Sequence, residues 1–534
     1  MKILVSITCI ILSAFLAHSQ TPSILWQNYF GGDSDDILRR VESPSGGYYF
    51  IGHSSSNISG DKTEISRGFS DIWIIKTDVS YNIEWDKTIG GDYYDDVSDI
   101  IILNDTIYVL TQSGSGISGE KTIAPFGAFG YTDLWLVTLD LDGNILWQQQ
   151  YGGESDESSA QMTPLANGNI LIASLSNSDI SGNKTEAQIG LDDFWLVEIS
   201  PQDGNIINQK VIGSSQIETL SNVIQLSSGE IIIKGGSYQG ISGDKTDAGY
   251  GAEDIWIVKL DQNYSVIADK CFGGDNVDSG SDGQVIEHSG FLYLSCSSQS
   301  DVSGNKTSPN YGGKDYWILK IDLNLNLIWD KSYGGTNDDL IGTIDYYDFN
   351  KLVISGASIS NLSGNKTSPN YGSYDAWLLI VNLDGDLIAQ ESYGGADVDA
   401  GIAQKEFDGT KILLTNYSTS AATGLKTVPS HGGYDCWFLE LDASSFLNTD
   451  ELAESGAKLS VYPNPVNDNV NFKFTDLNEA VMINFYTTDG RLIYSRNVEK
   501  NTAIVNIGFN FANQVIIYEV IGESFKSGGK LILN

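Results

Sequence analysis

The sequence has little sulfur and little histidine, and both shortages exclude kinds of site. It holds 4 Cys, 3 Met and 4 His among 534 residues. Beyond the first twenty residues the cysteines are Cys271, Cys296 and Cys436. An odd number of widely separated cysteines excludes a disulfide framework, and the spacing suits no zinc site. We expect the three to be small buried hydrophobic residues. His53, His288 and His431 each lack a Cys or Glu at ligand spacing.

Positive charge is also scarce: 30 Lys and Arg stand against 69 Asp and Glu, a net charge of −39. From Lys458 onward acidic and basic side chains are equal in number, so the excess lies in the first part of the chain. Such a surface repels nucleic acid and anionic lipid, so neither is predicted as a partner. The charge solubilises an exported protein, and attraction of divalent cations is the alternative.

Long apolar runs are absent after the N-terminus. Residues 3–16 are apolar, follow Lys2 and precede Ala17-His18-Ser19. This pattern predicts a signal peptide over residues 1–19, with cleavage before Gln20. An uncleaved anchor is the alternative, but the run is short for a bilayer. We therefore predict no membrane span in the mature chain.

Proline is rare, with 10 residues against 57 glycines, which favours many tight turns. The feature that recurs is an Asp two places before a Trp that opens an apolar stretch. The pairs are Asp71 and Trp73, Asp133 and Trp135, Asp193 and Trp195, Asp254 and Trp256, Asp315 and Trp317, Asp375 and Trp377, and Asp435 and Trp437. Seven units of one supersecondary size indicate a closed repeat architecture.

Each unit reads as four strands in up-and-down order, which is typical of a propeller blade. After Trp437 the chain makes only part of a unit, whereas residues 23–32 (SILWQNYFGG) form a spare last strand. We therefore predict an all-β, seven-bladed propeller over residues 20–442, in which the N-terminal strand closes blade seven. A polar linker is predicted at 443–457.

The remainder, residues 458–534, alternates apolar and polar residues over short stretches, which predicts a small antiparallel β-sandwich. VYPNPVNDNVNFKF (461–474), DGRLIY (489–494) and GGKLILN (528–534) resemble the type A sorting domain of the type IX secretion system. The motif itself is Tyr462, Pro463, Asn464 and Pro465. The resemblance implies type IX machinery and its surface peptidase as partners, and a secreted or outer cell-surface location.

Two further residue types recur in every repeat, and they allow two interpretations. An acidic residue follows each turn, at Asp36, Asp95, Glu157, Glu218, Asp278, Asp339 and Asp399. A lysine occupies each S-G-x-K-T loop or its variant, at Lys62, Lys121, Lys184, Lys245, Lys306, Lys366 and Lys426. Either these groups cap turns and form exposed pairs worth ~0–1 kcal/mol each, or the acids ring a channel and hold a cation. We predict no cofactor and no metal, with Ca²⁺ as the alternative.

No catalytic motif stands out, so the chain is predicted not to be an enzyme. The DGNxxW turn resembles the Asp-box of sialidases, but the propeller's arginines, Arg39, Arg40 and Arg67, lie in one repeat and cannot ring a pocket. No G-x-S-x-G, H-E-x-x-H or phosphate loop occurs.

Residues that break the repeat are the better guide to a ligand. Aromatic side chains without sevenfold repetition predict the contacts, namely Tyr93, Tyr94, Phe126 and Phe129. The expected function is non-catalytic binding of a glycan or a protein through one loop face. A structural surface protein and a glycan-active hydrolase are the alternatives.

Overall fold

The computed structural model describes residues 22–443, except 45, 129, 349 and 406–410, and residues 458–533, except 463–468, 476, 478–479, 487–491, 509–513 and 523–525. The predicted signal peptide, nearly all of the linker, Phe129 and Pro463 to Pro465 lie outside the described residues. All regular structure in the described part is β-strand. It contains no helix that is long and apolar enough to cross a membrane.

The first part of the chain forms twenty-eight strands. They are β1 (Ser23–Phe30), β2 (Asp36–Glu42), β3 (Tyr48–Ser54), β4 (Asp71–Thr77), β5 (Ile83–Ile89), β6 (Asp95–Leu103), β7 (Thr106–Ser113), β8 (Asp133–Leu139), β9 (Ile145–Tyr151), β10 (Glu157–Pro164), β11 (Ile170–Ser176), β12 (Asp193–Ile199), β13 (Ile206–Ile212), β14 (Glu218–Gln225), β15 (Ile231–Tyr238), β16 (Glu253–Leu260), β17 (Val266–Phe272), β18 (Val285–His288), β19 (Phe291–Ser298), β20 (Asp315–Asp322), β21 (Leu327–Tyr333), β22 (Asp339–Asp348), β23 (Lys351–Ser358), β24 (Asp375–Asn382), β25 (Leu387–Tyr393), β26 (Asp399–Lys405), β27 (Lys411–Ser418) and β28 (Asp435–Asp442).

These strands make seven four-stranded antiparallel sheets, the blades of a propeller. Blades 1 to 6 are β2–β5, β6–β9, β10–β13, β14–β17, β18–β21 and β22–β25, each in chain order. Blade 7 has the order β1-β28-β27-β26. First strands of successive blades contact one another, as β10 contacts β14 and β14 contacts β18, so the first strands surround the axis and the fourth strands form the rim.

The ring closes as predicted. Strand β1 pairs antiparallel with β28, in a register that runs from Ser23 opposite Asp442 to Phe30 opposite Cys436. Strand β2 of blade 1 contacts β27 and β28 of blade 7. The two ends of the propeller are therefore joined by hydrogen bonds between strands that lie some 400 residues apart in sequence.

The propeller core lies between blades and is built on the repeated tryptophans. All seven are completely buried. Trp256, for example, stacks on Phe194 of the preceding blade with ring centroids 5.5 Å apart. Its indole N–H donates to Asp269 at 3.0 Å. Each ring combines ~200 Å² of buried area with a satisfied N–H, which explains why the repeat keeps Trp rather than Phe.

The C-terminal part is a separate β-sandwich with its own core. Its strands are β29 (Lys458–Tyr462), β30 (Asn469–Thr475), β31 (Val481–Tyr486), β32 (Leu492–Val498), β33 (Ile504–Gly508), β34 (Gln514–Ile521) and β35 (Lys526–Leu533). They form the sheets β29-β30-β33 and β32-β31-β34-β35. Phe472 of one sheet packs against Phe485 and Tyr518 of the other at 5.7 and 4.9 Å. The predicted small sandwich is confirmed.

Candidate binding face and its buried clamps

Two kinds of connection meet on one face of the propeller, which we call the GG face. One is the turn from the fourth strand of a blade to the first strand of the next, and the other is the loop between strands two and three. In blade 1 the Asp61 N–H donates to the carbonyl of Gly31 at 2.9 Å. In blade 2 the Glu120 N–H donates to that of Gly90 at 2.9 Å. The two connections therefore support each other in successive blades.

Beneath this face the repeated acid and lysine form a buried clamp. The Asp36 carboxylate accepts the Gly32 N–H at 2.6 Å and the Ser56 hydroxyl at 2.8 Å. The Lys62 ammonium donates to the Ser54 hydroxyl at 2.9 Å and to the Ser56 carbonyl at 2.8 Å. Asp36 and Lys62 are 0% and 1% exposed, and their counterparts in the other blades are equally buried. The expectation of exposed pairs is therefore wrong, because these charges are held inside by backbone and serine groups.

The aspartate of each Asp-x-Trp pair packs against the turn that follows the fourth strand, and this contact explains the first glycine of that turn. Asp315 accepts the Tyr311 N–H at 2.6 Å through one oxygen. Its other oxygen is buried against the backbone of Gly334, where a Cβ would lie 1.9 Å away. The first turn glycine of each of the other blade junctions meets its own aspartate at 1.8–2.0 Å in the same way. Only glycine fits at this close approach.

The repeated acids do not assemble a metal centre in the described residues. These contain no group of three or more His, Cys, Asp or Glu side chains placed to hold a metal ion. The Asp339 carboxylate, for instance, is occupied by the Gly335 N–H at 2.7 Å and by the Ser360 hydroxyl at 3.0 Å. Calcium binding stays an untested alternative.

Burial shifts the pKa values of the clamp groups and of the Asp-x-Trp aspartates. Desolvation raises the pKa of Asp315 and of Asp375 to about 7, against hydrogen bonds from backbone N–H groups that oppose it. It also raises the pKa of Glu218 to about 7. The same burial lowers the pKa of the Lys121 ammonium to about 8. Folding therefore favours the protonated acids near neutral pH.

We expect the propeller to become more stable as the pH falls from 8 to 5.5. A carboxyl group with a raised folded-state pKa contributes stability below its unfolded pKa, and this is lost as the pH rises through about 7. The depressed lysine pKa acts mainly above pH 8, outside this window. Calorimetry at the two pH values in 0.5 M salt removes surface repulsion from the comparison. Asp315→Asn should reduce the change in Tm between the two pH values. A Tm that is lower at pH 5.5 than at pH 8 in high salt would contradict the raised pKa of the buried carboxyl groups.

The structure gathers part of the predicted contact set into one aromatic cluster. Tyr93 and Tyr94 lie edge to face at 5.0 Å. Phe69, which sequence reasoning missed, stacks on Tyr94 at 5.1 Å and meets Tyr93 edge-on at 5.4 Å. Phe69 is 58% and Tyr94 44% exposed. Phe69 lies in the loop before β4, and only the fold brings it beside the turn before β6.

Phe126 is also exposed, by 39%, but it belongs to another loop of the GG face. Its ring covers Gly182 of blade 3, where a Cβ would lie 2.9 Å from the ring. Arg67, Tyr250, Tyr311 and His431 cover the corresponding glycines of other blades. Part of the Phe126 surface is therefore committed to this repeated contact.

A ring of exposed aliphatic side chains is the larger feature of the GG face. Each precedes the S-G pair of its loop, and each is 60–66% exposed. The members are Ile58, Ile117, Ile180, Ile241, Val302 and Leu362. Blade 7 has Ala422 at this position. In the sequence these residues are visible as an apolar residue directly before the S-G pair of each loop. That their side chains are exposed is evident only from the fold.

Comparison with known proteins explains the C-terminal sandwich. Residues 460–523 match the family described as the secretion system C-terminal sorting domain. The chain carries a type IX sorting domain. This domain directs the protein out of the cell to the cell surface, where the type IX machinery is its partner. The YPNP motif predicted as its signature begins at Tyr462 in β29, and the Tyr462 side chain is 44% exposed.

The chain is also similar, at low identity, to a curated protein. It is 21% identical over 391 residues to the regulatory protein FlaEY of Caulobacter vibrioides, an alignment that covers 66% of this chain. The chain spans 39% of the length of that curated relative.

Two solved structures are similar in outline. The Neurospora crassa Pan2 WD40 domain has a TM-score of 0.43 and 8% identity, with 79% of this chain and 96% of that one covered. A protein of unknown function from Dyadobacter fermentans has a TM-score of 0.39 and 12% identity, with 66% and 96% covered. The seven blades follow from the sheet topology of the chain itself.

Proposed function

We propose that the protein is a non-catalytic binding protein of the cell surface, which holds a macromolecular partner through the GG face. The observation that carries this proposal is the ring of six exposed aliphatic side chains. Single exposed apolar residues are ordinary, but one at the same position in six of seven blades points to a multivalent contact. A surface peptidase that removes the sorting domain completes the proposed route to the surface.

Charge indicates the kind of partner. Exposed acids stand between the aliphatic residues on the same face, among them Asp33, Asp92, Asp179, Asp275 and Asp301. Such a surface attracts a basic partner and repels a second copy of itself. Aliphatic anchors within an acidic field favour a protein that presents apolar pockets and lysine or arginine.

A glycan is the second candidate, and the aromatic cluster favours it. Phe69 and Tyr94 present stacked, partly exposed rings on a polar surface. Flat aromatic faces suit the apolar face of a sugar ring. The two candidates use different residues of the same face and can therefore be separated by substitution.

Binding of the purified, fluorescently labelled protein to cells of the producing strain tests both candidates. We expect Ile117→Ser/Ile180→Ser/Ile241→Ser to weaken binding at least tenfold if the partner is a protein, because three anchors of ~1 kcal/mol or more are lost. If the partner is a glycan, Phe69→Ala/Tyr94→Ala should weaken binding at least tenfold and should also reduce binding on a glycan array. Val79→Ser is the control, because Val79 is 69% exposed in the β4–β5 turn of the opposite face. Binding that survives both variants would overturn the proposal.

A further inference from the structure

On the rim of the propeller, a tryptophan side chain of one blade packs against a glycine of the next blade at several junctions. At three junctions a tryptophan in the fourth strand of one blade lies over a glycine in the strand three to four turn of the next. The pairs are Trp85 with Gly143, Trp147 with Gly204, and Trp329 with Gly385. A Cβ on these glycines would lie 2.6–3.0 Å from the ring. Glycine is needed because a side chain would occupy the place of the indole.

Polar groups of the protein contact these indole rings at their N–H and at their faces. The Trp329 indole N–H donates to the Leu383 carbonyl of the next blade at 3.2 Å. The Lys87 ammonium lies 5.5 Å from the Trp85 ring centroid and donates to the Gly143 carbonyl at 2.9 Å. The Trp329 site thus provides a carbonyl for the indole N–H, and the Trp85 site provides a lysine beside the ring face. Beside Trp147 the corresponding position holds Gln149.

Three of the remaining junctions lack the tryptophan, with Asn208, Ala268 and Ala389 at its position, and the junction between blades 4 and 5 is one of them. Ala268 occupies the tryptophan position in β17. Leu325 stands in place of the glycine, with a φ of 65° that glycine would adopt more readily. The result is a groove of about 430 Å³ with a mixed lining. Its residues are Tyr250, Ala268, Lys270, Phe272, Leu325 and Leu327, together with the polar Asp269, Asn305, Asn324 and Asn326. Leu325 is itself buried in the core of this junction, with Ala268 packed against that core, and the groove lies beside them.

We propose that this groove binds the side chain of a tryptophan supplied by another protein. Lys270 stands where Lys87 stands beside Trp85, and the Leu323 carbonyl corresponds to that of Leu383. Although Lys270 also pairs with Asp247 at 2.7 Å, its ammonium provides a positive group at the groove that complements the negative face of an incoming ring. Leu323 already accepts the Lys259 ammonium at 3.0 Å, and its carbonyl has a second lone pair for an indole N–H.

The occupant comes from outside this chain and arrives on an extended segment. All eleven tryptophans lie in the propeller strands, seven of them completely buried and the other four, Trp26, Trp85, Trp147 and Trp329, half-buried. Among the described strands, β17 pairs only with β16. On its outer edge the Cys271 N–H and carbonyl already bond Asp247 and Asn305, so a partner segment would meet the edge before Cys271. A partner strand added there can place a tryptophan into the groove. The site lies on the rim and does not depend on the function proposed for the GG face.

The probe is N-acetyl-L-tryptophanamide, measured by saturation-transfer NMR and by titration against the full-length protein. We expect saturable binding through the indole protons, whereas N-acetyl-L-alaninamide and methyl β-glucoside should show none. Ala268→Trp/Leu325→Gly rebuilds the intramolecular pair of the other junctions and should reduce the affinity at least tenfold. Ala268→Met fills less of the groove and should reduce it by less.

Ile267→Trp is the matched control, because Ile267 is 51% exposed on the opposite side of the same strand. It adds the same ring outside the groove and should leave the affinity within twofold of the parent. Thermal unfolding confirms that each variant is folded. No binding by the parent, equal binding by the filled variant, or preference for the glucoside would each overturn the proposal.

Discussion

A chain that begins at Asp33 instead of Gln20 is expected to lose the cooperative unfolding of the propeller. Strand β1 supplies the whole fourth strand of blade 7, and its removal exposes the edge of β28. Its side chains also join blades 7 and 1. Trp26 stacks on Tyr81 at 4.4 Å, and Phe30 contacts Phe438 and Phe50 at 5.1 and 4.8 Å.

The magnitude follows from these two rings. Truncation of a buried aromatic side chain such as Phe30 to alanine costs about 3–5 kcal/mol, and the half-buried Trp26 adds a smaller amount. Together with the strand hydrogen bonds, this loss rivals the total stability of a typical domain. The Trp437 indole would also lose its acceptor, the Gln27 carboxamide at 3.1 Å. Calorimetry and near-ultraviolet circular dichroism report the change.

The chain that begins at Gln20 is the control, since it retains β1. Phe30→Ala in that chain gives a graded test, with an expected cost of about 3–5 kcal/mol. Equal melting temperatures for the two chains would show that β1 does not close the ring.

Gly334→Ala is expected to destabilise the propeller by about 3 kcal/mol through a steric clash. The added methyl group would lie 1.9 Å from one Asp315 oxygen, 2.5 Å from its Cγ and 3.0 Å from an Asp339 oxygen. Neither carboxylate can withdraw freely, because Asp315 holds the Tyr311 N–H and Asp339 holds the Gly335 N–H. The measurement is urea unfolding of the parent and the variant.

A double-mutant cycle separates this clash from a general effect of alanine in a turn. Asp315→Ala removes the obstructing carboxylate, so Gly334→Ala should cost much less in that background than in the parent. Gly116→Ala is the matched control on the same face, since its nearest neighbour would be 3.8 Å away. A cost for Gly334→Ala that is the same in both backgrounds would contradict the close-approach explanation.

The limits of sequence reasoning are clearest at the clamp and at the groove. The lysine of S-G-x-K-T stands in a polar loop and reads as a surface residue, yet Lys62 is buried because Ser54 and Ser56, six to eight residues earlier, supply its acceptors. The groove at Ala268 depends on Leu325, which lies 57 residues further along the chain in another blade. Ala268 and Leu325 are ordinary strand and turn residues when each is considered alone.

By itself the sequence determined the blade count, the closing strand and the sorting domain. Those features depend on local patterns: the spacing of Asp-x-Trp, the match of residues 23–32 to the other fourth strands, and a short terminal motif. Only the tertiary structure decided which polar groups are buried, that Phe69 joins Tyr94, and that a groove lies beside Ala268 at one rim junction. These properties depend on distances between residues of different blades, and such distances are set by packing rather than by the order of residues along the chain.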